Sequence, residues 1–277
     1  MKKILAIAVL VLIAGTSFAQ KEEEPDTLVV KIGKKVIVIQ NNEDENEIII
    51  DENGFEKDNT EEDKKSEAHW SGIDVGVNTF LNSAQGTDFP TANFLEIDPS
   101  KSWNWNLNFM EGKLDIIKGY VGVTSGLGLN VTNFSFRNNY IYNYDAGNDN
   151  TPGSITASKD TVVNYSKNKL RTTYLTVPVL LEFTTNRDKG EDFYLAAGVV
   201  GGVKLITKLK RESDQSGYER KFSEKGDYGV NPFKVDALVK LGYGDWGVYA
   251  SYNLMPTFDT DLTAQANQFS FGLSYSF

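Results

Sequence analysis

Cysteine is missing from all 277 residues, which excludes a disulfide framework, a thiol nucleophile and the lipobox cysteine that would carry an acyl anchor. Histidine occurs once, as His69, leaving little room for histidine-based acid–base or metal chemistry. Beyond the N-terminus no segment is long and apolar enough for a transmembrane helix, so residence in a membrane would require a closed barrel. Excess positive charge is lacking too: the formal net charge is −10, which argues against nucleic acid as a partner because phosphate binding needs a basic surface. No cofactor, metal or phosphate loop is expected, since Gly126, Gly128, Gly201 and Gly202 fall within strand-like segments, where glycine relieves crowding or permits bending.

The N-terminus is informative. Lys2 and Lys3 precede an apolar stretch over residues 4–15, and Ser17, Phe18 and Ala19 put small residues at the cleavage positions. This predicts a signal peptide over residues 1–19, because the apolar run is too short to span a bilayer comfortably and an acidic segment follows. Residues 21–67 carry 16 Asp or Glu against 7 Lys, so most of the net charge lies there. Residues 20–67 are expected to form an acidic, mostly disordered periplasmic leader, with a small hairpin where β-branched residues flank Gly33 and a further apolar patch at Ile48, Ile49 and Ile50. Asp51, Glu52, Asn53 and Gly54 superficially resemble a calcium loop, but glycine comes two positions too early and no helical pattern flanks it.

From Trp70 onward the pattern becomes sustained period-two alternation, the mark of strands with two differently solvated faces. Ile73, Val75 and Val77 open it; Trp103, Trp105, Leu107 and Phe109 follow, then a run over 121–131 and another over 175–183. The second half repeats the scheme over 193–208, 233–241, 246–254 and 269–277. A soluble sandwich or lipocalin-like barrel would alternate as well. The strands, however, suit a tilted barrel wall, about nine to eleven residues each, and the opposite face is full of Gly, Ser, Asn and charge, as a crowded barrel interior would be. Connections alternate long and short: 81–101, 137–169, 210–231 and 256–267 are long, whereas 117–119, 185–191 and 242–245 are short. Short periplasmic turns and long external loops give this rhythm and put both barrel ends in the periplasm. Tyr120, Phe183, Phe193, Tyr243, Trp246 and Phe277 on the turn side, with Trp103 and Phe269 toward the loops, would form aromatic girdles. Residues 68–277 are therefore expected to be an all-β, eight-stranded antiparallel up-and-down transmembrane barrel.

Charged residues in the inward phase, Asp74, Glu182, Lys204, Lys208, Lys234, Asp236 and Lys240, predict a lumenal ion-pair network in which Glu182 and Asp236 pair with Lys204 or Lys240. The alternative is a charge-lined conducting path. Pro178 predicts a local bulge, His69 an ordinary position at the periplasmic rim, and Asn139 to Tyr144 a tyrosine-rich loop over the barrel mouth.

Phe269, Phe271, Leu273, Tyr275 and a terminal Phe277 alternate with Ser270, Gly272, Ser274 and Ser276, like the C-terminal assembly signal of outer-membrane barrels. Together with residues 170–183 and Gly126, Leu127, Gly128 and Leu129, this resembles the family of outer membrane protein β-barrel domains that includes PorT-like proteins, over residues 69–277. The resemblance implies an OmpA-type fold in the outer membrane, lipid as its surroundings and insertion by the barrel-assembly machinery. It implies no catalytic residue set. The expected role is a non-enzymatic membrane anchor and loop-display scaffold, with a narrow or secretion-associated pore as the rival and a lipid-modifying enzyme as the weaker third. The acidic leader departs from the family pattern and leaves a periplasmic partner for residues 20–67 open.

Overall fold

The computed structural model describes residues 68–277 except 118–119, 138, 149–150, 152, 186–191 and 216–217, together with three strands between residues 27 and 51. Residues 1–63 and 64–277 form two compact units. The signal-peptide assignment lies outside the described residues. In the first unit, β1 (Thr27–Ile32), β2 (Lys35–Asn42) and β3 (Glu45–Asp51) pair antiparallel in the order β1-β2-β3. Val38 is in register with both Val29 and Ile49, so the patch at Ile48 to Ile50 joins the expected hairpin as a third strand.

The second unit is an antiparallel barrel. Its wall comprises β4 (Gly72–Leu81), β5 (Trp103–Ile117), β6 (Val121–Ser135), β9 (Tyr165–Thr184), β10 (Phe193–Gln215), β12 (Phe233–Tyr243), β13 (Trp246–Asn253) and β14 (Asn267–Ser276). Each strand pairs with the next, and β14 returns to β4 with Phe271 opposite Val77, so these eight strands leave no open edge. A hairpin of β7 (Tyr140–Asp145) and β8 (Ser154–Lys159) fills the longest connection, and β11 (Tyr218–Lys225) folds back on the end of β10. The long connections are thus themselves structured, and β9 and β10 extend well past the wall height the alternation predicts.

The apolar phase faces outward. Val177, Val248 and Leu273 are 45%, 38% and 60% exposed, an arrangement that is unfavourable in water and favourable in hydrocarbon. At the turn end Phe193, Tyr243, Trp246 and Tyr275 occupy one continuous register row across β10, β12, β13 and β14, with ring centroids 4.7 Å apart for Phe193 and Tyr243 and 4.9 Å for Trp246 and Tyr275. That row is an aromatic girdle.

Among the described residues the wall ladders slip register at four places, two of them near strand ends, between Asp115 and Ile117 and between Glu212 and Ser213, and the other two decide which lumenal residues point inward. Register slips in β5 between Asn108 and Met110, and in β10 between Lys204 and Ile206. A slip of one residue exchanges the two faces of the strand beyond it. Pro178 does not create the bulge expected of it. Register is the same on both sides of it against β6 and β10, and only the ladder to β6 lapses, between the Ser125–Val179 and Gly128–Thr176 pairs. The missing N–H of proline is thus accommodated by an interruption, with Ser125 Oγ donating to the Pro178 carbonyl at 2.8 Å.

Candidate functional site

The lumen is a polar core built in three clusters. On β4, Asp74 is 1% exposed and accepts hydrogen bonds from Lys240 Nζ at 2.8 Å, Ser274 Oγ at 2.6 Å, Asn108 Nδ2 at 3.0 Å and Asn106 Nδ2 at 3.2 Å. Lys240 Nζ also lies 5.2 Å from the Trp70 ring centre. These contacts satisfy both carboxylate oxygens, which is the condition for keeping a charge out of water. Higher in the barrel, Lys234 pairs with Asp236 at 2.7 Å and donates to Asn130 Oδ1 at 2.8 Å. Lys234 and Asp236 are two apart on one strand, so the pleat puts them on the same face.

Near the turns, Glu182 is fully buried and takes three side-chain partners: His69 Nδ1 at 2.9 Å, Lys113 Nζ at 3.2 Å and Thr124 Oγ1 at 2.9 Å. His69 stacks on Tyr194 with centroids 4.1 Å apart, and its Nε2 is 3.5 Å from Asp192 Oδ1. The residue is therefore an interior one, and not the rim residue the sequence predicts. Ala68, His69, Trp70 and Ser71 are all buried, held by Glu111 Oε2, which accepts from the N–H groups of Trp70 at 3.0 Å and Ser71 at 2.6 Å. The chain enters the wall at Gly72, whose φ of +152° suits glycine. Gly126 makes room for this inserted segment, because a Cβ there would lie 2.6 Å from Trp70 Cδ1.

The loop end is closed differently. Phe80, Phe94, Leu95, Phe134, Leu170, Leu209 and Phe258 form a buried apolar cluster with residues of the β7–β8 hairpin, Tyr142 and Ile155. Phe80 stacks on Phe134 at 4.4 Å and Phe136 on Tyr142 at 5.6 Å. Tyr142 Oη donates to the Tyr228 carbonyl at 2.6 Å, so one loop is fastened to another. Burial holds the Tyr142 phenol well above its ordinary pKa. The tyrosine-rich loop packs over the barrel mouth with Tyr142 as its inward anchor.

The model of the outer membrane protein beta-barrel domain family matches residues 66–259. The chain belongs to that family. Membership implies an outer-membrane location for the closed, outwardly apolar barrel. Among solved structures, the crystal structure of Ail, the attachment invasion locus protein of Yersinia pestis, is similar over 75% of this chain and 99% of its own, with 12% identity and a TM-score of 0.28. No curated protein matches significantly.

Of the charged residues expected in the lumen, Asp74, Glu182, Lys234, Asp236 and Lys240 are buried there. Lys204 is half-buried and bonds Asp227 and the Val230 carbonyl at the cap. Lys208 is the exception: the β10 bulge turns it to the outer face, opposite Arg171. The expected partners also differ. Glu182 and Lys240 flank Ala196 in one register row and so lie two strands, about 10 Å, apart. Each reaches elsewhere instead, Lys240 to Asp74 and Glu182 to His69 and Lys113. Lys113 and Glu111 escaped the sequence reading because the β5 bulge alone brings their phase inward. The signal for both bulges is visible in retrospect as adjacent apolar pairs, Phe109 with Met110 and Leu205 with Ile206, all four exposed. Phe271, Leu273, Tyr275 and Phe277 of the expected assembly signal are exposed on the closing strand or its end, and Phe269 is half-buried.

Proposed function

We propose that this protein is a closed, non-conducting and non-catalytic outer-membrane scaffold that presents its folded loop cap on the cell surface and keeps residues 20–67 in the periplasm for a partner there. The observation that carries this reading is the filling of the lumen at both levels. The cavity beside Trp70, Asp74, Asn130 and Asp236 measures about 20 Å³, room for little more than a water molecule, which supports a plugged lumen. Its carboxylates and ammonium groups are engaged with one another, which supports a structural role for them over ion conduction. Placement of the loops outside rests on the contrast between short turns and long connections, and outward exposure of the final strand supports its reading as the signal for the assembly machinery.

Planar-bilayer recording of the purified full-length protein tests the proposal: no stable unit conductance is expected. A reproducible unit conductance would establish the pore instead.

A further inference from the structure

Above the apolar band, the outward face of β9, β10 and β11 turns abruptly cationic. On β9 the outward residues Phe183, Leu181, Val179 and Val177 lead past Leu175 and Thr173 to Arg171, Lys169 and Lys167. On β10 Phe193, Leu195, Val199 and Val203 lead to the bulge, after which Ile206, Lys208, Lys210 and Glu212 continue the same face. Their opposite phase, Leu170, Thr172, Thr207 and Leu209, is buried. Register rows then align Arg171 with Lys208 and Lys225, Lys169 with Lys210, and Lys167 with Glu212.

Directly opposed residues of antiparallel strands share a face, and like charges there repel. Glu212 is the carboxylate placed among these cations, and Lys167 engages it at 2.7 Å. Arg171 Nε donates to Asn133 Oδ1 at 2.8 Å, which seats its guanidinium beside β6. Next to this face, beyond Ser135, the register partner of Lys169, opens a polar groove of about 630 Å³ whose walls include Arg137, Lys159 and Lys101, the last 3.6 Å from the Asp98 carboxylate in the same wall.

Height decides what can lie against the face. From Phe193 to Val203 the strand rises about 25 Å along the barrel axis, at about 3.3 Å per residue and a tilt near 40°. That is the thickness of the apolar band, so Arg171, Lys208, Lys169 and Lys210 lie at the level where hydrocarbon gives way to lipid headgroups. We infer that this face, built on Arg171, Lys169, Lys208 and Lys210, binds the phosphorylated saccharide headgroup of an outer-leaflet glycolipid. Phosphates supply negative charge to a face on which cations outnumber Glu212, the groove accommodates a bulky hydrophilic headgroup, and the exposed aliphatic residues below receive its acyl chains. This inference rests on the proposed outward placement of the loops.

Two measurements separate the inference from that placement. In the first, the full-length protein in detergent micelles is titrated with bis-phosphorylated lipid A, with dephosphorylated lipid A and with inorganic phosphate, and bound lipid is read by native mass spectrometry. Retention of the phosphorylated lipid alone is expected, weakened roughly thirtyfold in the Lys208→Gln, Lys210→Gln double variant, with the heat-shifted electrophoretic band of the folded barrel unchanged. Equal retention of the dephosphorylated lipid, equal retention by the double variant, or full competition by equimolar inorganic phosphate overturns the site. In the second, Lys159→Cys, the only thiol in the chain, is treated on intact cells with a membrane-impermeant maleimide. Labelling is expected. Labelling only after permeabilisation overturns the outward placement and, with it, the outer-leaflet ligand, whatever the titration gives.

Discussion

The two ends of the lumen are filled by opposite chemistry. Toward the turns and the middle, the wall encloses carboxylates, ammonium groups and amides, many of them bonded to one another, and Asp74 alone gathers four donors. Toward the loops, the same wall encloses aromatic and aliphatic side chains closed over by the β7–β8 hairpin. The difference teaches how the outer surface constrains the inner one. Along the transmembrane part the apolar phase is committed to lipid, so the alternate phase must be polar, and its charges must pair inside. Above the membrane the outer face is wet, which frees the inner phase to be apolar and to form an ordinary water-excluding core.

The comparison can be broken most severely in the polar half. Lys240→Met leaves the Asp74 carboxylate buried without its cation and is expected to cost about 3–5 kcal/mol, read by urea unfolding of the lipid-reconstituted barrel. The double variant Asp74→Asn, Lys240→Met should recover most of that loss, and a double variant no better than the single one would deny the pairing its importance. In the apolar half, Leu170→Ala removes a side chain with no exposed surface, for an expected cost of about 2–4 kcal/mol. Here the response should be confined: the loop cap becomes open to limited proteolysis while the heat-shifted electrophoretic band of the folded barrel persists.

A smaller effect is expected from Tyr142→Phe, which leaves the Tyr228 carbonyl without its donor and costs about 1 kcal/mol; cleavage within 139–165 by added protease should become faster. Smallest is the pH response of Asp160, whose carboxylate accepts the Val162 and Val163 N–H groups at 2.9 Å and the Tyr165 hydroxyl at 2.9 Å. Those bonds, the backbone ones foremost, hold its pKa below the usual carboxylate value. Because the folded-state pKa is the lower one, the turn keeps its full stabilisation above about pH 4 and loses it as pH falls through the depressed value. Amide exchange at Val162 and Val163 should therefore accelerate, relative to the acid-corrected intrinsic rate, only at acid pH, and Asp160→Asn should remove the dependence.

How far this organisation was legible depends on the residue. Strand positions were legible because two solvents impose a strict period of two, and Asp74, Glu182, Lys234, Asp236 and Lys240 could be assigned to the interior on phase alone. Their partners could not. Lys240 and Asp74 are 166 residues apart in sequence, and which carboxylate faces a lysine across the lumen follows from register and closure. Lys208 shows the other failure: counted in twos from Lys204 it belongs inside, yet one extra residue at the bulge puts it among the outward cations. His69 and Trp70 were hidden for a third reason, since nothing local reveals that a segment preceding the first strand turns inward and is pinned there by Glu111 and Glu182.

By itself the sequence determined the alternation, the number of wall strands and the polar character of the interior, because a chain flanked by hydrocarbon on one side and a narrow lumen on the other must write that contrast at every second residue. Only the tertiary structure decided which charges pair, where the phase reverses and what closes each end of the barrel. Those features depend on ring closure and on register slips, each of which changes the phase of the strand beyond it without altering the composition that the sequence displays.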